Sequence, residues 1–376
     1  MDDQELAALR ATVRGLLDKH SGESQVRASM DSVDGVDREL WAMLADVGLL
    51  GLIVPEEYAG AGAGFEELGV VAEELGRALA CVPFLSTIGL AVPVLLAAAD
   101  DVASARWLPR IVEGDLIATA VLAPGTALRA VETDEGWQVS GALAHVVDGA
   151  VAEIVLVLAE TSDGPTVLAV DLAPGAAGVE RAVMRTSDLT RRTARLGLSS
   201  ASASRVGAAG DGERIARAAS AMATAVLSSE QVGGATAALD AAVAYAMTRE
   251  QFGRPIGSFQ AVKHRCADML VSVETARSAS WALNRALDAG AETDLIASIA
   301  RVVCSTSYCD VASGSIQVHG GVGYTWEHPA HLHLKRSRGS AVLLGTPEDH
   351  RRALADLVPV FDEAHVSSQP LQGAHP

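Results

Sequence analysis

The stretch Tyr245-Ala-Met-Thr-Arg249-Glu-Gln-Phe252-Gly253-Arg-Pro255-Ile-Gly257-Ser-Phe-Gln260 interrupts a long alanine-rich helical background. Glycine raises the entropic cost of a helix, and proline removes one of its backbone donors. Gly253 and Pro255, so close together, predict a tight turn between two helices. The same stretch holds two arginines, three aromatic rings and two glutamine amides. A second mixed segment follows further along, Gln317-Val-His-Gly320-Gly321-Val-Gly-Tyr-Thr-Trp, again at the end of an apolar helical run.

Outward from this region, the chain divides by pattern. Glu5-Leu-Ala-Ala-Leu-Arg-x-x-Val-x-x-Leu-Leu places apolar residues at helical spacing. Asp37 is a suitable cap for a second helix that runs through Trp41 and ends near Gly48. Leu50-Gly-Leu-Ile-Val-Pro55 reads as a short extended exit, and Glu66 to Leu79 reads as helix. From Ile117 to about Val206, short β-type runs alternate with turn residues, with Asp163-Gly164 as a hairpin signal. From Gly212 to about Ala364 the helical pattern returns. The expected fold class is therefore α+β. Residues 1–114 form an N-terminal helical domain, 115–208 a middle antiparallel β-barrel or sandwich, and 209–366 a C-terminal helical bundle. The polar stretch 367–376 reads as a disordered tail.

The chain has 376 residues, enough for two or three domains with sizeable cores. Aromatic residues are only 4% of it, so Ala, Val and Leu must do most of the packing. A net charge of −18, spread along the chain, argues against a nucleic-acid surface or a basic membrane footing. It leaves room for a small anionic ligand, since one arginine fork can hold a pyrophosphate inside an acidic protein. Cys81, Cys266, Cys304 and Cys309 have neither metal-site nor disulfide-framework spacing, and no secretory signal is visible. The expected setting is a reducing cytoplasm.

Three features invite a functional reading and have a plainer one. Ala80 to Ala99 contains no charge, but its prolines, glycine and hydroxyls fit a buried helix and its approach turn better than a membrane span. Gly60, Gly62 and Gly64 lack the lysine and the spacing of a phosphate loop and read as a flexible turn. His319, His328, His331, His333 and His350 are close in sequence, yet no ligand set completes a metal shell. No metal is expected.

The two mixed segments resemble signatures of the acyl-CoA dehydrogenase family, flavoenzymes that desaturate thioesters. Trp107-Leu-Pro-Arg-Ile-Val-Glu-Gly114-Asp resembles the end of that family's first domain, so the resemblance covers nearly the whole chain. The segment Tyr324 to Arg336 is similar to a variant among bacterial members, including those associated with steroid side chains. The resemblance implies FAD as cofactor, an acyl-CoA substrate from fatty-acid or steroid side-chain degradation, and an electron-transfer flavoprotein or similar acceptor. It also implies a homo- or hetero-oligomer. By the same resemblance, Arg249, Phe252 and Gln260 contact a flavin held mainly by a neighbouring subunit. Gln317, Gly320 and Gly321 let the backbone approach that cofactor closely, and Thr346 and Glu348 match a further flavin contact.

The chain departs from the family pattern where the proton is removed. Desaturation needs a carboxylate at the substrate α-carbon. The commonest family position for it is Leu344 here, in Leu343-Leu344-Gly345-Thr346, and the alternative position falls near Ala223. Neither accepts a proton. Glu230, two helical turns beyond Ala223, is the substitute candidate, with a polar residue near a subunit contact as the plainer account. In the β-domain, Val121-Leu-Ala123-Pro124-Gly125-Thr126-Ala127 and Ala144-His145-Val-Val-Asp148 replace the usual flavin-cradling segments. Three readings follow: an active dehydrogenase with a non-standard base, a base-less subunit of a hetero-oligomer, and a scaffold of the same fold without turnover.

Overall fold

The computed structural model describes residues 3–122, 128–134 and 136–358. The segment Ala123–Ala127 and the expected tail at 367–376 lie outside the described residues, as do positions 359–366. The N-terminal region holds α1 (Asp3–His20), α2 (Glu23–Asp31), α3 (Arg38–Asp46), α4 (Phe65–Arg77), a π-helical segment at Leu85–Ala91, α5 (Val92–Ala98) and α6 (Asp101–Val112). Asp37 caps α3 by accepting from the Leu40 amide at 2.9 Å. Asp100 caps α6 through the Val102 and Ala103 amides, both at 3.1 Å.

Leu50–Pro55 is not extended, contrary to its sequence pattern. Gly48, at φ +76°, turns the chain directly into a 3-10 turn at Leu49–Gly51. The following loop folds back on that turn: the Ala61 amide donates to Gly51 O at 2.9 Å and the Ala63 amide to Leu52 O at 2.7 Å. A Cβ at Gly60 would lie 1.9 Å from Val54 O, so this glycine serves close chain packing. Ala80 to Ala99 resolves into a turn, the π-helical segment and α5, nearly all buried.

The middle region contains β1 (Ala118–Val121), β2 (Arg129–Thr133), β3 (Gly136–Val147), β4 (Ile154–Thr161), β5 (Gly164–Asp171), β6 (Val179–Val183) and β7 (Thr193–Val206). Strands β4, β2, β3, β7 and β5 pair in turn and β5 returns to β4, which closes a five-stranded barrel. Closure removes the exposed edges that an open sheet would present. Strand β1 adds to β4 and β6 to β7. The expectation of an antiparallel sheet holds for most pairings, but β1 and β2 both run parallel to β4. The β4–β5 hairpin turns at Asp163-Gly164, with Gly164 at φ +99°.

The C-terminal region begins with α7 (Gly212–Thr248), followed by a two-stranded arm of β8 (Glu250–Gln251) and β9 (Arg254–Pro255). Helices α8 (Gln260–Asp288), α9 (Asp294–His319), α10 (Ala330–Ser340) and α11 (Pro347–Leu357) complete it. Helix α7 has 37 residues and is roughly 55 Å long. It is buried along much of its length because it packs on α4 and α5 as well as on α8 and α9. Gly233 and Gly234 allow that approach. A Cβ at Gly233 would stand 1.8 Å from Glu73 O on α4, and one at Gly234 would stand 2.4 Å from the Tyr308 ring on α9. Helix α9 is long and apolar enough to cross a membrane, yet most of its apolar window is buried inside the fold.

Candidate functional site

Ala223 on α7 and Leu344 on the turn after α10 meet in one apolar cluster, with Leu90 from the π-helical segment and Val147 at the end of β3. Ala120 and Leu343 pack against the same group. All three domains thus converge on this point, and both positions where the family pattern places a base carry hydrocarbon side chains. Leu344 sits at φ +55°, a left-handed conformation that is unfavourable for leucine. Desaturation needs a proton acceptor, and neither Leu344 nor Ala223 is one.

Glu230, the substitute-base candidate, lies two turns further along α7 within a network of buried ion pairs. Its carboxylate is buried and accepts from Arg191, on the loop before β7, and from Arg336 on α10, the latter at 3.2 Å. Arg336 also bonds Asp188 at 3.1 Å and the Thr190 hydroxyl at 2.9 Å. Burial opposes ionisation of Glu230, but the two guanidiniums more than offset it and hold the carboxyl below its ordinary range. A carboxylate bound this way is a poor proton acceptor. Its role is to join the barrel to the C-terminal helices.

One buried carboxyl escaped the sequence reading. Asp148, the residue after Val147, is buried at φ +51° and accepts from the Ser86 hydroxyl at 2.7 Å. Burial pushes it up to about 6, against the opposing pull of Ser86, Arg191 and Arg336. Its only sequence signal was the departure from the family pattern at Ala144 to Asp148.

The flavin-contact candidates form two groups. Arg249 is the C-cap of α7, Phe252 is at the tip of the β8–β9 arm, and Gln260 opens α8. Phe252 is 93% exposed and adopts φ +53°. Its ring meets Phe259 edge-on at 6.1 Å, and the Arg254 guanidinium lies over Phe259 at 4.1 Å. Arg249 is exposed and forms no ion pair among the described residues. Gln317, Gly320 and Gly321 are exposed at the C-terminal end of α9. The Tyr245 and His319 rings, 4.6 Å apart, bring that end of α9 against the end of α7, so these six residues share one region. Nothing lies within 4 Å of a Cβ built at Gly320 or Gly321, which leaves the backbone open to a close neighbour.

Thr346 and Glu348 belong elsewhere. They start α11, beside Arg301, roughly 27 Å back along α9 from His319. Thr346 caps that helix: its hydroxyl accepts from the Asp349 amide at 3.2 Å and bonds the Asp349 carboxylate at 2.6 Å. Glu348 is exposed and pairs with Arg351 at 3.3 Å.

The histidines are engaged in packing. The His319 and His328 rings meet at a tilt with centroids 4.5 Å apart, His331 stacks on Trp326 at 5.0 Å, and His333 bonds the Tyr308 hydroxyl at 3.0 Å. No group of three His, Cys, Asp or Glu among the described residues is placed to hold a metal.

Comparison with known proteins gives the same assignment from two directions. Residues 3–115 match the model for the acyl-CoA dehydrogenase N-terminal domain, and residues 210–358 match that for its C-terminal domain. Acyl-CoA dehydrogenase IpdE2 of Mycolicibacterium smegmatis is 36% identical over 93% of this chain and 98% of its own length. IpdE2 of Mycobacterium tuberculosis is 38% identical over 93% of this chain and 96% of its own length. Among solved structures, the Tcur3481-Tcur3483 steroid ACAD variant superposes with a TM-score of 0.85 at 31% identity, covering 97% of this chain and 99% of the other. The ChsE4-ChsE5 complex from Mycobacterium tuberculosis gives 0.87 at 30% identity, covering 96% and 99%. The chain belongs to the acyl-CoA dehydrogenase family, FAD-dependent oxidoreductases that act on the CH–CH bond of acyl-CoA thioesters.

Proposed function

We propose that this chain is the base-less subunit of a hetero-oligomeric acyl-CoA dehydrogenase. In this reading it completes a flavin site on a partner that carries the catalytic carboxylate. The observation that carries the proposal is the contrast between the chain's two site regions. Where the family keeps its base, Leu344 and Ala223 close an apolar cluster. At the far end of α7, the ring of Phe252 stands 93% exposed, near an Arg249 that forms no ion pair among the described residues.

The residues of that exposed region fit a flavin dinucleotide held by a neighbour. Arg249 offers a permanently charged planar fork to a pyrophosphate, and Phe252 an apolar wall. Gln260 and Gln317 offer amide donors and acceptors, and Gly320 and Gly321 a backbone without Cβ atoms. Bound there, the flavin supplies the hydride acceptor for desaturation. This chain's residues hold and orient it and exclude water, while proton removal falls to the partner. The substrate class follows from the relatives: two of the solved structures pair two different gene products, and one is described as a steroid ACAD. A bulky, steroid-type acyl-CoA is therefore the proposed substrate. An electron-transfer flavoprotein or similar carrier is the proposed acceptor. A reducing cytoplasmic setting is part of the same reading, since Cys81, Cys304 and Cys309 are buried free thiols.

Purification alone and after co-expression with a neighbouring dehydrogenase gene tests the proposal. The lone chain is expected to be colourless and the co-expressed assembly yellow, with flavin bleached by acyl-CoA under anaerobic conditions. A lone chain that purifies yellow and is bleached by acyl-CoA would overturn it.

A further inference from the structure

Arg301, on α9, has no exposed surface and no carboxylate within ion-pair distance among the described residues. Its charge is answered by backbone carbonyls instead. One arm donates to Leu343 O and, at 3.1 Å, to Gly345 O, with longer contacts of 3.4 Å to Ser340 O and Ala341 O. The other arm reaches the Ser305 hydroxyl at 2.6 Å and Gln231 Oε1 at 3.3 Å, next to Glu230 on α7. Burial draws the guanidinium down to about 10, and its Nε has no partner. An apolar side chain would avoid these costs, so the arginine is there for the bonds it makes.

Those bonds converge on the turn that carries Leu344. The carbonyls left over at the end of α10 present the negative end of a helix dipole, which a buried cation suits. His350 bonds a further carbonyl of the turn, Leu344 O, at 2.8 Å. Between them, Arg301 and His350 bind the backbone on both sides of a leucine held in a left-handed conformation that it would not choose alone. None of these bonds involves the residue 344 side chain.

We propose that Arg301 is the positioning residue of the 340–345 turn, fixing its backbone from behind so that the turn keeps its shape whatever side chain stands at 344. The clamp sets where residue 344 meets Ala223 and where α11 begins. It does not depend on the subunit role proposed above, and its test needs no flavin.

Hydrogen exchange followed by mass spectrometry on the full chain tests it. Arg301→Gln is expected to raise exchange across residues 341–349 at least tenfold while the barrel strands and α8 are unchanged. Arg301→Lys, which keeps the charge without the planar fork, should give an intermediate rise. Adding Leu344→Gly to either variant removes the left-handed strain and should return most of the lost protection, whereas loss of a merely structural buried group would not respond to position 344. Leu344→Glu in the wild-type background should leave exchange of the turn within twofold of normal. If Arg301→Gln fails to fold, the lysine variant with and without Leu344→Gly gives the same comparison. Exchange that rises uniformly over the chain, or a turn that Leu344→Gly does not rescue, would overturn the proposal.

Discussion

Arg336 Nη1 on α10 donates to Glu230 Oε1 on α7 at 3.2 Å, and Arg191 binds the same carboxylate from the barrel side. Removing the anion leaves two buried guanidiniums, with Asp188 the remaining ion-pair partner of Arg336 among the described residues. Breaking one side of a buried ion pair typically costs 3–5 kcal/mol. Glu230→Gln should therefore lower the unfolding free energy by about 3 kcal/mol, read from denaturant melts at pH 7. Because the Glu230 pKa is depressed by folding, the stabilisation is present above the unfolded value near 4.5 and is lost as pH falls below it. Glu230→Gln should thus approach the wild type in acid. If the variant instead keeps its stability and loses turnover in the co-expressed assembly, Glu230 is the base after all.

Asp148 responds to pH in the opposite sense. Its folded pKa, about 6, is above the ordinary carboxyl value of 3.8, so folding favours the protonated form. Stability associated with this group is greatest below pH 4 and declines as pH rises through 6. Asp148→Asn keeps an acceptor for Ser86 and removes the titration. It should raise stability at pH 7.5 by up to roughly 3 kcal/mol and flatten the profile between pH 4 and 6. Melts across that range provide the check, and an unchanged slope would place the titrating group elsewhere.

Phe252→Ala should leave folding almost untouched, since the ring is 93% exposed and packs only edge-on against Phe259. The thermal midpoint of the lone chain should correspond to a change within about 0.5 kcal/mol. In the co-expressed assembly the same change, alone or with Arg249→Ala, should reduce flavin content measured against protein by absorbance. Full flavin retention would remove these residues from the cofactor surface.

Gly233→Ala sets two effects against each other. Alanine is favoured over glycine within a helix by up to about 1 kcal/mol. Here its Cβ would stand 1.8 Å from Glu73 O, a backbone atom that cannot move without displacing α4. Overpacking should win, with a net loss above about 2 kcal/mol in denaturant melts. The same change at Gly15, where nothing lies within 4 Å, should be neutral or stabilising.

What the sequence revealed was mostly local. The Phe252 arm was legible because Gly253 and Pro255 stop a helix wherever they occur. The change from β-type pattern to helix was legible because the alternation stops at Val206 and helical spacing resumes at Gly212, where β7 ends and α7 begins. Barrel closure was not, since it needs β2 beside β4 and β3 beside β7, segments that are far apart in the chain. The role of Glu230 was hidden for the same reason. Arg191 is 39 positions away from it and Arg336 is 106. Arg301 gave no signal at all, because its partners are backbone carbonyls, which every sequence possesses. Leu50–Pro55 was misread because a short apolar run does not distinguish a strand from a buried turn.

Helix α7 joins the closed apolar cluster at Ala223 to the exposed arm at Arg249, roughly 39 Å apart along its axis at 1.5 Å per residue. No residue touches both places. Substitutions that erase the chemistry at one end therefore carry no penalty at the other, and natural selection can act on the two separately. A duplicated gene could lose its own catalysis one neutral step at a time while its copy kept the reaction. The long helix gives such a chain a way to specialise without first becoming useless.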